Sequence, residues 1–574
     1  MRIRLLLLSL IASLLWLPAD LTAAPLSPTH APHAIVVSLH ELASNAGVEM
    51  MQAGGNAIDA AVATGFALAV VHPQAGNIGG GGFLLLRTAN GESHFIDFRE
   101  RAPAAATENM YLDAQGNVIE NLSLVGYKAI GVPGSVAGLV YAEKKYGRLT
   151  LEKVMAPAIK LARNGFPLAY EDTQDLRTDE HLAKFSVSRH IFQRDGNFYQ
   201  PGEILKQPEL ARTLERIAKN PDGFYHGALA RELAATIQKN GGLITTADLA
   251  AYEVKEREPV RGTYRGYDII SAPPPSSGGA VLIEILNILE GFDLAKTGNR
   301  SATTIHLTAE AFRRAFYDRA DFMGDPDFAK VPVPQLIDKK YAAAWRDSID
   351  TNHASVSKDL RRPPFDGLER VADLHAFALR EPQNSTHYSV VDPEGNAVGV
   401  TTTLNDSFGS RVTAEGLGFL LNDEMDDFAS KQGVPNVYGL IQGPANAIGP
   451  NKRPLSAMTP TIVLKDGKLF LVLGAEGGPT IITNVANLII GVVDFGLDIQ
   501  EAVNAPRFHN QWLPDGILVE DRLSPDTMNV LRSKGHRLKV DHFWGDAECI
   551  MVDPKTGERL GASDGRNNGK AVGY

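Results

Sequence analysis

Ser385 is a hydroxyl residue placed where it could act as a nucleophile. It begins the run Ser385–Val391, whose β-branched and aromatic residues predict a strand, and it follows residues 351–384, a polar segment predicted to be a mobile stretch of surface. If the Asn384–Ser385 peptide bond breaks, Ser385 gains an α-amino group beside its own hydroxyl. An α-amine has an unperturbed pKa of about 7.7–8.0 and can act as a general base near neutral pH. Nucleophile and base would then lie in one residue and replace a separate histidine.

Other short motifs offer no rival catalytic centre. Ser563 lies in a G-x-S-x-G sequence, but no histidine follows it to complete the triad order of that motif. His40 and Glu41 begin an H-E-x-x-H pattern, but Ser44 occupies the place of the second histidine, so no metal site is predicted. A serine that begins a strand is more often structural than catalytic. The residue types alone therefore leave both readings of Ser385 open.

The elements around Ser385 are predicted to form a largely antiparallel sheet. A turn at residues 392–396 leads into the strand Ala397–Thr403, and this hairpin places Thr403 opposite Ser385. A second apolar pair flanks the turn Asp466-Gly467 and predicts another hairpin.

Helices are predicted to cover this sheet. The segment Glu41–Val71 predicts two alanine-rich helices separated by Gly54-Gly55, with Asn56 capping the second. Ile305–Phe322 predicts a further helix. Gly79–Gly82 forms no phosphate-binding motif and predicts a turn that enters a strand.

Composition and charge indicate a globular protein that does not bind nucleic acid. The 574 residues are 44% hydrophobic and 21% charged, as in globular proteins, and the net charge of −11 disfavours nucleic-acid binding. The single cysteine, Cys549, cannot form an internal disulfide and is predicted to be buried and inert.

The N-terminus has the pattern of an export signal. Arg2 and Arg4 precede the apolar run Leu5–Leu17, and small residues follow up to Ala24. The run is shorter than the ~20 residues that a membrane-spanning helix needs, so we expect a cleaved signal peptide over residues 1–24, with an uncleaved anchor as the alternative. The mature protein is expected to be periplasmic or secreted, without a stable membrane anchor.

The surroundings of Ser385 resemble the processing site of gamma-glutamyltranspeptidases, which are N-terminal-nucleophile hydrolases. The similarity extends from about residue 34 to the C-terminus and rests on motifs in a fixed order, which is a specific signal where any one motif alone would be weak. The motifs are Asp97-Phe98-Arg99-Glu100, Gln383-Asn384-Ser385-Thr386-His387-Tyr388-Ser389-Val390-Val391-Asp392, Leu421-Asn422-Asp423-Glu424-Met425-Asp426-Asp427-Phe428, Gly449-Pro450-Asn451-Lys452-Arg453-Pro454-Leu455-Ser456 and Gly477-Gly478.

The resemblance implies an α+β fold, a four-layer αββα sandwich. It also implies a precursor that cleaves itself into a large chain, residues 25–384, and a small chain, residues 385–574, which remain intertwined. The implied reaction is attack on a gamma-glutamyl amide such as glutathione, which gives a gamma-glutamyl ester of Ser385. Water or an amino acid then accepts the acyl group, and no cofactor is required.

The resemblance also implies how the substrate is held. Arg99 can bind the α-carboxylate through two parallel hydrogen bonds, with Ser456 as a further donor. Asp427, assisted by Glu424 and Asn405, can hold the α-ammonium. A surface ion pair for Arg99 and a solvated turn for Asp427 are the structural alternatives.

Three further implied roles concern the reacting atoms. The amides of Gly477 and Gly478 can face the developing oxyanion, where the missing Cβ permits close approach. Thr403 matches the residue that hydrogen-bonds the nucleophile's hydroxyl. Residues 428–451, which include Tyr438, match a loop that covers the pocket, although their composition would equally suit an ordinary loop.

The sequence departs from the family pattern at two positions. The family's usual nucleophile is threonine, whereas position 385 is serine; Thr386 is a threonine but lies one place off the family's spacing, so Ser385 is preferred. The usual Ser-Ser pair on the α-carboxylate is here Ser456-Ala457. Losing a hydrogen bond to a charged group costs about 1.5–3 kcal/mol, which puts the gamma-glutamyl preference in question.

Two rival functions follow. A same-fold amidase of another acyl specificity, such as a cephalosporin acylase, is favoured by Ala457. A binding protein that has lost its chemistry would fail to cleave itself, and the retained Arg99, Thr403 and Asp427 argue against it.

Overall fold

The computed structural model describes residues 27–368, 385–542 and 545–574. The predicted signal peptide, residues 1–24, and Asn384 of the predicted scissile bond lie outside these ranges. Within them, no helix combines the length and the apolar character that crossing a membrane requires.

Most of the described strands form two large antiparallel sheets, and the others form a three-stranded and a two-stranded sheet. Their bounds are β1 Thr29–Ala31, β2 Ile35–Ser38, β3 Gly81–Arg87, β4 Ser93–Phe98, β5 Phe166–Pro167, β6 Ile204–Leu205, β7 Lys255–Arg257, β8 Val260–Tyr264, β9 Tyr267–Ser271, β10 Thr386–Val391, β11 Ala397–Thr403, β12 Thr461–Lys465, β13 Lys468–Leu473, β14 Phe508–His509, β15 Ile517–Glu520, β16 Leu538–Asp541, β17 Cys549–Val552, β18 Arg559–Ala562 and β19 Lys570–Gly573. The first sheet has the order β19-β2-β10-β11-β3-β4-β7 and the second β1-β18-β17-β13-β12-β9-β8. Both predicted hairpins are confirmed, as β10–β11 and β12–β13.

Helices lie on the outer faces of the two sheets. Their bounds are α1 Glu41–Gln52, α2 Ala57–Val71, α3 Ser135–Tyr146, α4 Leu151–Asn164, α5 Tyr170–Thr178, α6 Ser186–Gln193, α7 Pro208–Lys219, α8 Gly223–His226, α9 Ala228–Lys239, α10 Thr246–Ala250, α11 Gly278–Leu289, α12 Ala302–Phe322, α13 Val333–Leu336, α14 Lys339–Asp347, α15 Thr480–Val493, α16 Ile499–Asn504 and α17 Pro525–Ser533. The predicted helices at residues 41–71 and 305–322 are confirmed. Asn56 caps α2 in a reciprocal box with Asp59, and this explains the break after Gly54-Gly55.

Three apolar cores define four layers. Alternate strand residues such as Val37, Phe83, Ile462 and Val472 pack between the two sheets. Their neighbours, such as Tyr388 and Val400, pack outward against the helices that include α2. On the far side, α11, α12 and α15 pack on the second sheet. The predicted αββα sandwich is confirmed.

The hairpin register places the predicted nucleophile. Thr386 pairs with Thr402 across β10 and β11, so Ser385 and Thr403 lie side by side at the open end of the hairpin. His387 is not a base in this arrangement, because its ring hydrogen-bonds Thr401 and Ser389 at 2.8 and 3.1 Å. Burial lowers the pKa of His387 to about 3, which keeps the ring neutral.

The segment that leads toward the scissile bond is anchored where the structure describes it. Arg362 donates to Asp318 and Asp321 of α12 at 2.5 and 2.7 Å, and its guanidinium lies over Phe322 at 4.4 Å. Ser357 is buried and donates to the carbonyl of Trp512 at 2.6 Å. The prediction of a surface stretch was wrong for these residues, and residues 369–384 lie outside the described ranges.

Candidate active site

Ser385 and Thr403 form a hydroxyl pair at the end of the hairpin. Ser385 is 4% exposed, and its Oγ donates to Oγ1 of Thr403 at 3.2 Å. The same Thr403 oxygen accepts the backbone N–H of Asn405 at 2.9 Å. The structure therefore shows the Ser385–Thr403 contact, and the role of Thr403 in orienting the nucleophile stays a prediction.

Most of the predicted site residues line one small cavity. Its volume is about 20 Å³, which has room for roughly one water molecule. Gly477 does not line it, whereas Gly478 does. The predicted residues on its wall are Arg99, Ser385, Thr403, Asn405, Glu424, Asp427, Tyr438, Ser456 and Gly478.

Arg99 is buried and pairs with both acidic residues that were predicted to hold the ammonium. One Nη contacts Glu424, and the other lies 2.5 Å from Asp427. The remaining donors reach the carbonyls of Pro454 and Leu455 at 3.2 Å each. We call Arg99, Glu424 and Asp427 the ionic triad. The burial of Arg99 contradicts a surface ion pair, and the contact with Arg99 contradicts a solvated turn at Asp427, whose side chain is 14% exposed.

The triad shifts the proton affinities of its members. Burial lowers the pKa of Arg99, but Glu424, Asp427 and Glu100 outweigh this and raise it above its usual value. Burial raises the pKa of Glu424 well above normal, and that of the adjacent Glu100 to about 7. The guanidinium of Arg99 lowers the pKa of both carboxyls and so opposes the effect of burial on them.

Gly477 and Gly478 form a turn directly before α15. Their φ angles are 117° and 56°, in the left-handed region that favours glycine. A Cβ on Gly478 would lie 2.7 Å from the ring of Tyr438. The turn is fixed because Thr480 donates to the carbonyl of Gly477 through its amide and its hydroxyl, at 3.1 and 2.8 Å.

Tyr438 closes the cavity from the segment 428–451. Its hydroxyl donates to the carbonyl of Asn405 at 2.6 Å, and its ring is 6% exposed. The side-chain amide of Asn405 points at Asp423, with Nδ2 3.2 Å from the backbone oxygen. The contact with the Asn405 carbonyl fixes the ring of Tyr438 against the segment that follows β11.

Ser456 and Ala457 also line the cavity. The hydroxyl of Ser456 accepts the N–H of Met458 at 3.1 Å, so its own proton can be directed at a ligand. Ser277 donates to the carbonyl of Ser456 through its amide and its hydroxyl, at 2.8 and 2.7 Å. Ala457 lines the cavity, and its methyl side chain offers no hydrogen-bond donor.

Sequence reasoning missed one charged residue of this wall. Arg319, from α12, lines the cavity and is 2% exposed. The sequence of α12 indicates that it buries charged side chains. Charged residues are spread among apolar ones along this helix, and a helix of that kind must bury ionic groups.

A cluster of two histidines and a glutamate lies between α12 and the segment that follows α17. Ligand atoms of His306, Glu310 and His536 lie within 4.8 Å of one another. Glu310 is already paired with Arg314 at 2.6 Å and with Arg313 at 3.3 Å. Two adjacent guanidinium groups oppose the binding of a divalent cation, so we assign no metal to this cluster.

The fold and the position of Ser385 define the class of protein. A four-layer sandwich with a hydroxyl residue at the head of a central strand is the architecture of the N-terminal-nucleophile hydrolases. The sequence profile of the family Gamma-glutamyltranspeptidase matches residues 43–574, and the chain belongs to this family.

Individual relatives agree with this assignment. The chain is 50% identical over 543 residues to the glutathione hydrolase proenzyme of Escherichia coli K12, covering 94% of this chain and 91% of the relative. The cephalosporin acylase of Bacillus halodurans superposes with a TM-score of 0.82 at 27% identity, over 97% and 98% of the two chains. The gamma-glutamyltranspeptidase of Helicobacter pylori is 48% identical with a TM-score of 0.58, over 61% of this chain and all of that one.

Proposed function

We propose that the protein is a proenzyme that cleaves the bond before Ser385 and then transfers gamma-glutamyl groups to water or an amino acid. The observation that carries this proposal is the Ser385–Thr403 pair, at 3.2 Å, in one cavity with the ionic triad. The family assignment and the name of the E. coli relative, glutathione hydrolase proenzyme, support it.

Self-cleavage begins with Ser385 in the uncut chain. Its Oγ attacks the carbonyl carbon of Asn384, and the peptide C–N bond breaks as the acyl group moves from nitrogen to oxygen. Water then hydrolyses the ester and leaves a carboxylate on Asn384 and an α-amine on Ser385. The products are the chains 25–384 and 385–574, with residues 1–24 proposed as an export signal for the periplasm or the exterior.

Acyl transfer then uses the same hydroxyl. The α-amine accepts the Ser385 proton while Oγ attacks the gamma-carbonyl carbon of a donor such as glutathione. The oxyanion develops toward the turn Gly477-Gly478, whose place before α15 adds the positive end of a helix dipole. The leaving amine takes the proton, and water or an amino acid next attacks the ester; no cofactor takes part.

Donor recognition is assigned to the triad and its neighbours. Arg99 and Ser456 would bind the α-carboxylate, and Asp427, with Glu424 and Asn405, would bind the α-ammonium. The α-substituents of the donor form a zwitterionic head group. Its carboxylate can pair with Arg99 and its ammonium with Asp427 and Glu424, so the head group can replace the ion pairs within the triad. Tyr438 would cover the bound donor.

A second candidate is an acylase for donors without the ammonium group. The methyl group of Ala457 and the superposition on a cephalosporin acylase favour it. The two candidates share self-cleavage and differ in the acyl head group.

Mass spectrometry combined with two donors tests the proposal. We expect the purified protein to contain a fragment that begins at Ser385, and to turn over a gamma-glutamyl anilide faster than a glutaryl anilide by at least about tenfold, the loss of one charged hydrogen bond. An intact chain would support the binding protein. A preference for the glutaryl donor would support the acylase.

Ala457→Ser tests the carboxylate clamp. The new hydroxyl should lower the KM for a gamma-glutamyl anilide by at most about 10- to 150-fold, and by less if a water molecule already fills the gap. The effect should appear in KM because the carboxylate is held equally in the ground and transition states. A 4-aminobutyryl anilide, which lacks the carboxylate, is the control and should not respond. An unchanged KM for the gamma-glutamyl donor would mean that another residue already fills the role.

A further inference from the structure

Arg319 is a cation with unused hydrogen-bonding capacity in the cavity that Ser385 also lines. It lies near the end of α12, and its Nε donates to Oγ of Ser277 at 2.9 Å. Its Nη1 is buried and has no hydrogen-bond partner among the described residues. Buried charged donors are seldom left in this state, because solvation is lost and nothing replaces it.

The contrast with Arg99 is informative. Each nitrogen of Arg99 already faces an oxygen: Glu424, Asp427 or a backbone carbonyl. Arg319 lines the same cavity, and the charge of Asp427 raises its pKa against the effect of burial. Arg319 is therefore the cation of this cavity that has an N–H group able to donate to an anionic ligand.

Arg319 also lies on the side of the cavity formed by Ser456 and Ala457, where the sequence departs from the Ser-Ser pair of the family. Ser277, which receives its Nε–H, is the residue that supports the carbonyl of Ser456 at 2.7 Å. Ala457, next in the chain, lines the cavity together with Arg319. A guanidinium on this wall can supply the donor that an alanine cannot.

The charge of Arg319 persists under working conditions. Burial lowers its pKa to about 10, and Asp427 opposes that shift. The group is therefore protonated at neutral pH.

We propose that Arg319 is a specificity-determining residue that binds the α-carboxylate of the acyl donor from the side of Ala457. It acts together with Arg99, and the inference rests on the proposed function. Donors that carry this carboxylate are favoured over donors that lack it, and an acylase acting on glutaryl groups would use the same contact.

The experiment compares three anilides on the processed enzyme. The gamma-glutamyl donor carries both α-substituents, the glutaryl donor only the carboxylate, and the 4-aminobutyryl donor only the ammonium. Arg319→Gln should lower kcat/KM for the first two by about 10- to 150-fold, mainly through KM, and change the third by less than about twofold. Arg319→Lys should recover part of the loss because it retains the charge without the planar fork.

Two controls separate binding from folding. The fragment that begins at Ser385 should still appear in both Arg319 variants. Arg314→Lys alters another buried arginine of α12, one that pairs with Glu310 outside the cavity, and should leave the ranking of the three donors unchanged. If Arg319→Gln does not fold, the three donors are compared on Arg319→Lys instead.

Several results would overturn the inference. An equal fall for all three donors would show that Arg319 only shapes the cavity, and no change for any donor would remove it from recognition. If the wild type prefers glutaryl donors, the proposed function fails, and the glutaryl arm still measures the Arg319 contact. If no anilide reacts, calorimetry with glutarate replaces turnover, and equal affinity in the wild type and Arg319→Gln contradicts the inference.

Discussion

Ser385→Ala should remain a single chain that is not cut before residue 385. The alanine has no hydroxyl to attack the carbonyl of Asn384, so the acyl shift cannot start, and transfer activity should be lost with it. Because nucleophile and base both depend on this residue, we expect activity to fall to background. Denaturing electrophoresis and mass spectrometry of the purified variant measure the outcome directly.

Ser385→Thr is the matched control for this variant. Threonine retains the hydroxyl and adds a methyl group that restricts χ1, so this chain should still be cut. Efficient cleavage of Ser385→Ala, or a fragment that begins at Thr386, would show that the nucleophile has been assigned to the wrong residue.

Arg99→Lys and Asp427→Asn should each reduce gamma-glutamyl turnover on the order of 100-fold while self-cleavage continues. Lysine keeps the charge of Arg99 but cannot form two parallel hydrogen bonds. Asparagine removes the negative charge that would face the ammonium, and the loss of one charged hydrogen bond is worth up to about 150-fold. The measurement is kcat/KM for a gamma-glutamyl anilide, with the fragment that begins at Ser385 as the check on folding.

The glutaryl donor identifies which half of the head group each residue binds. Arg99→Lys should impair both donors, whereas Asp427→Asn should impair only the one that carries an ammonium. If Asp427→Asn leaves gamma-glutamyl turnover unchanged and glutaryl amides react equally well, the acylase is the better description of this protein.

Much of the architecture was predictable because it depends on local patterns. The alternation in β10 and β11 specifies which side chains face the helices, and the five-residue turn between these strands places Thr403 beside Ser385. Asn56 is a strong capping residue, so the start of α2 could also be predicted. Neither inference required knowledge of distant contacts.

The site could be predicted only in part, because its charges meet across long stretches of chain. The residues of the ionic triad were identified, but their pairing with one another depends on contacts between segments more than 300 residues apart. Arg319 lies on a helix whose periodicity says nothing about which cavity it borders. The burial of Arg362 likewise depends on tertiary contacts with α12, which no local pattern of the polar segment indicates.

The ionic triad also has a consequence for the total charge of the pocket. A zwitterionic head group brings one positive and one negative charge, so the buried site keeps the same net charge when such a molecule enters. A ligand with a single charge would import that charge into a region from which water is excluded, where an uncompensated ion is costly. We expect the triad, taken by itself, to favour ligands that add no net charge, whereas the charge of Arg319 favours a ligand that carries a carboxylate.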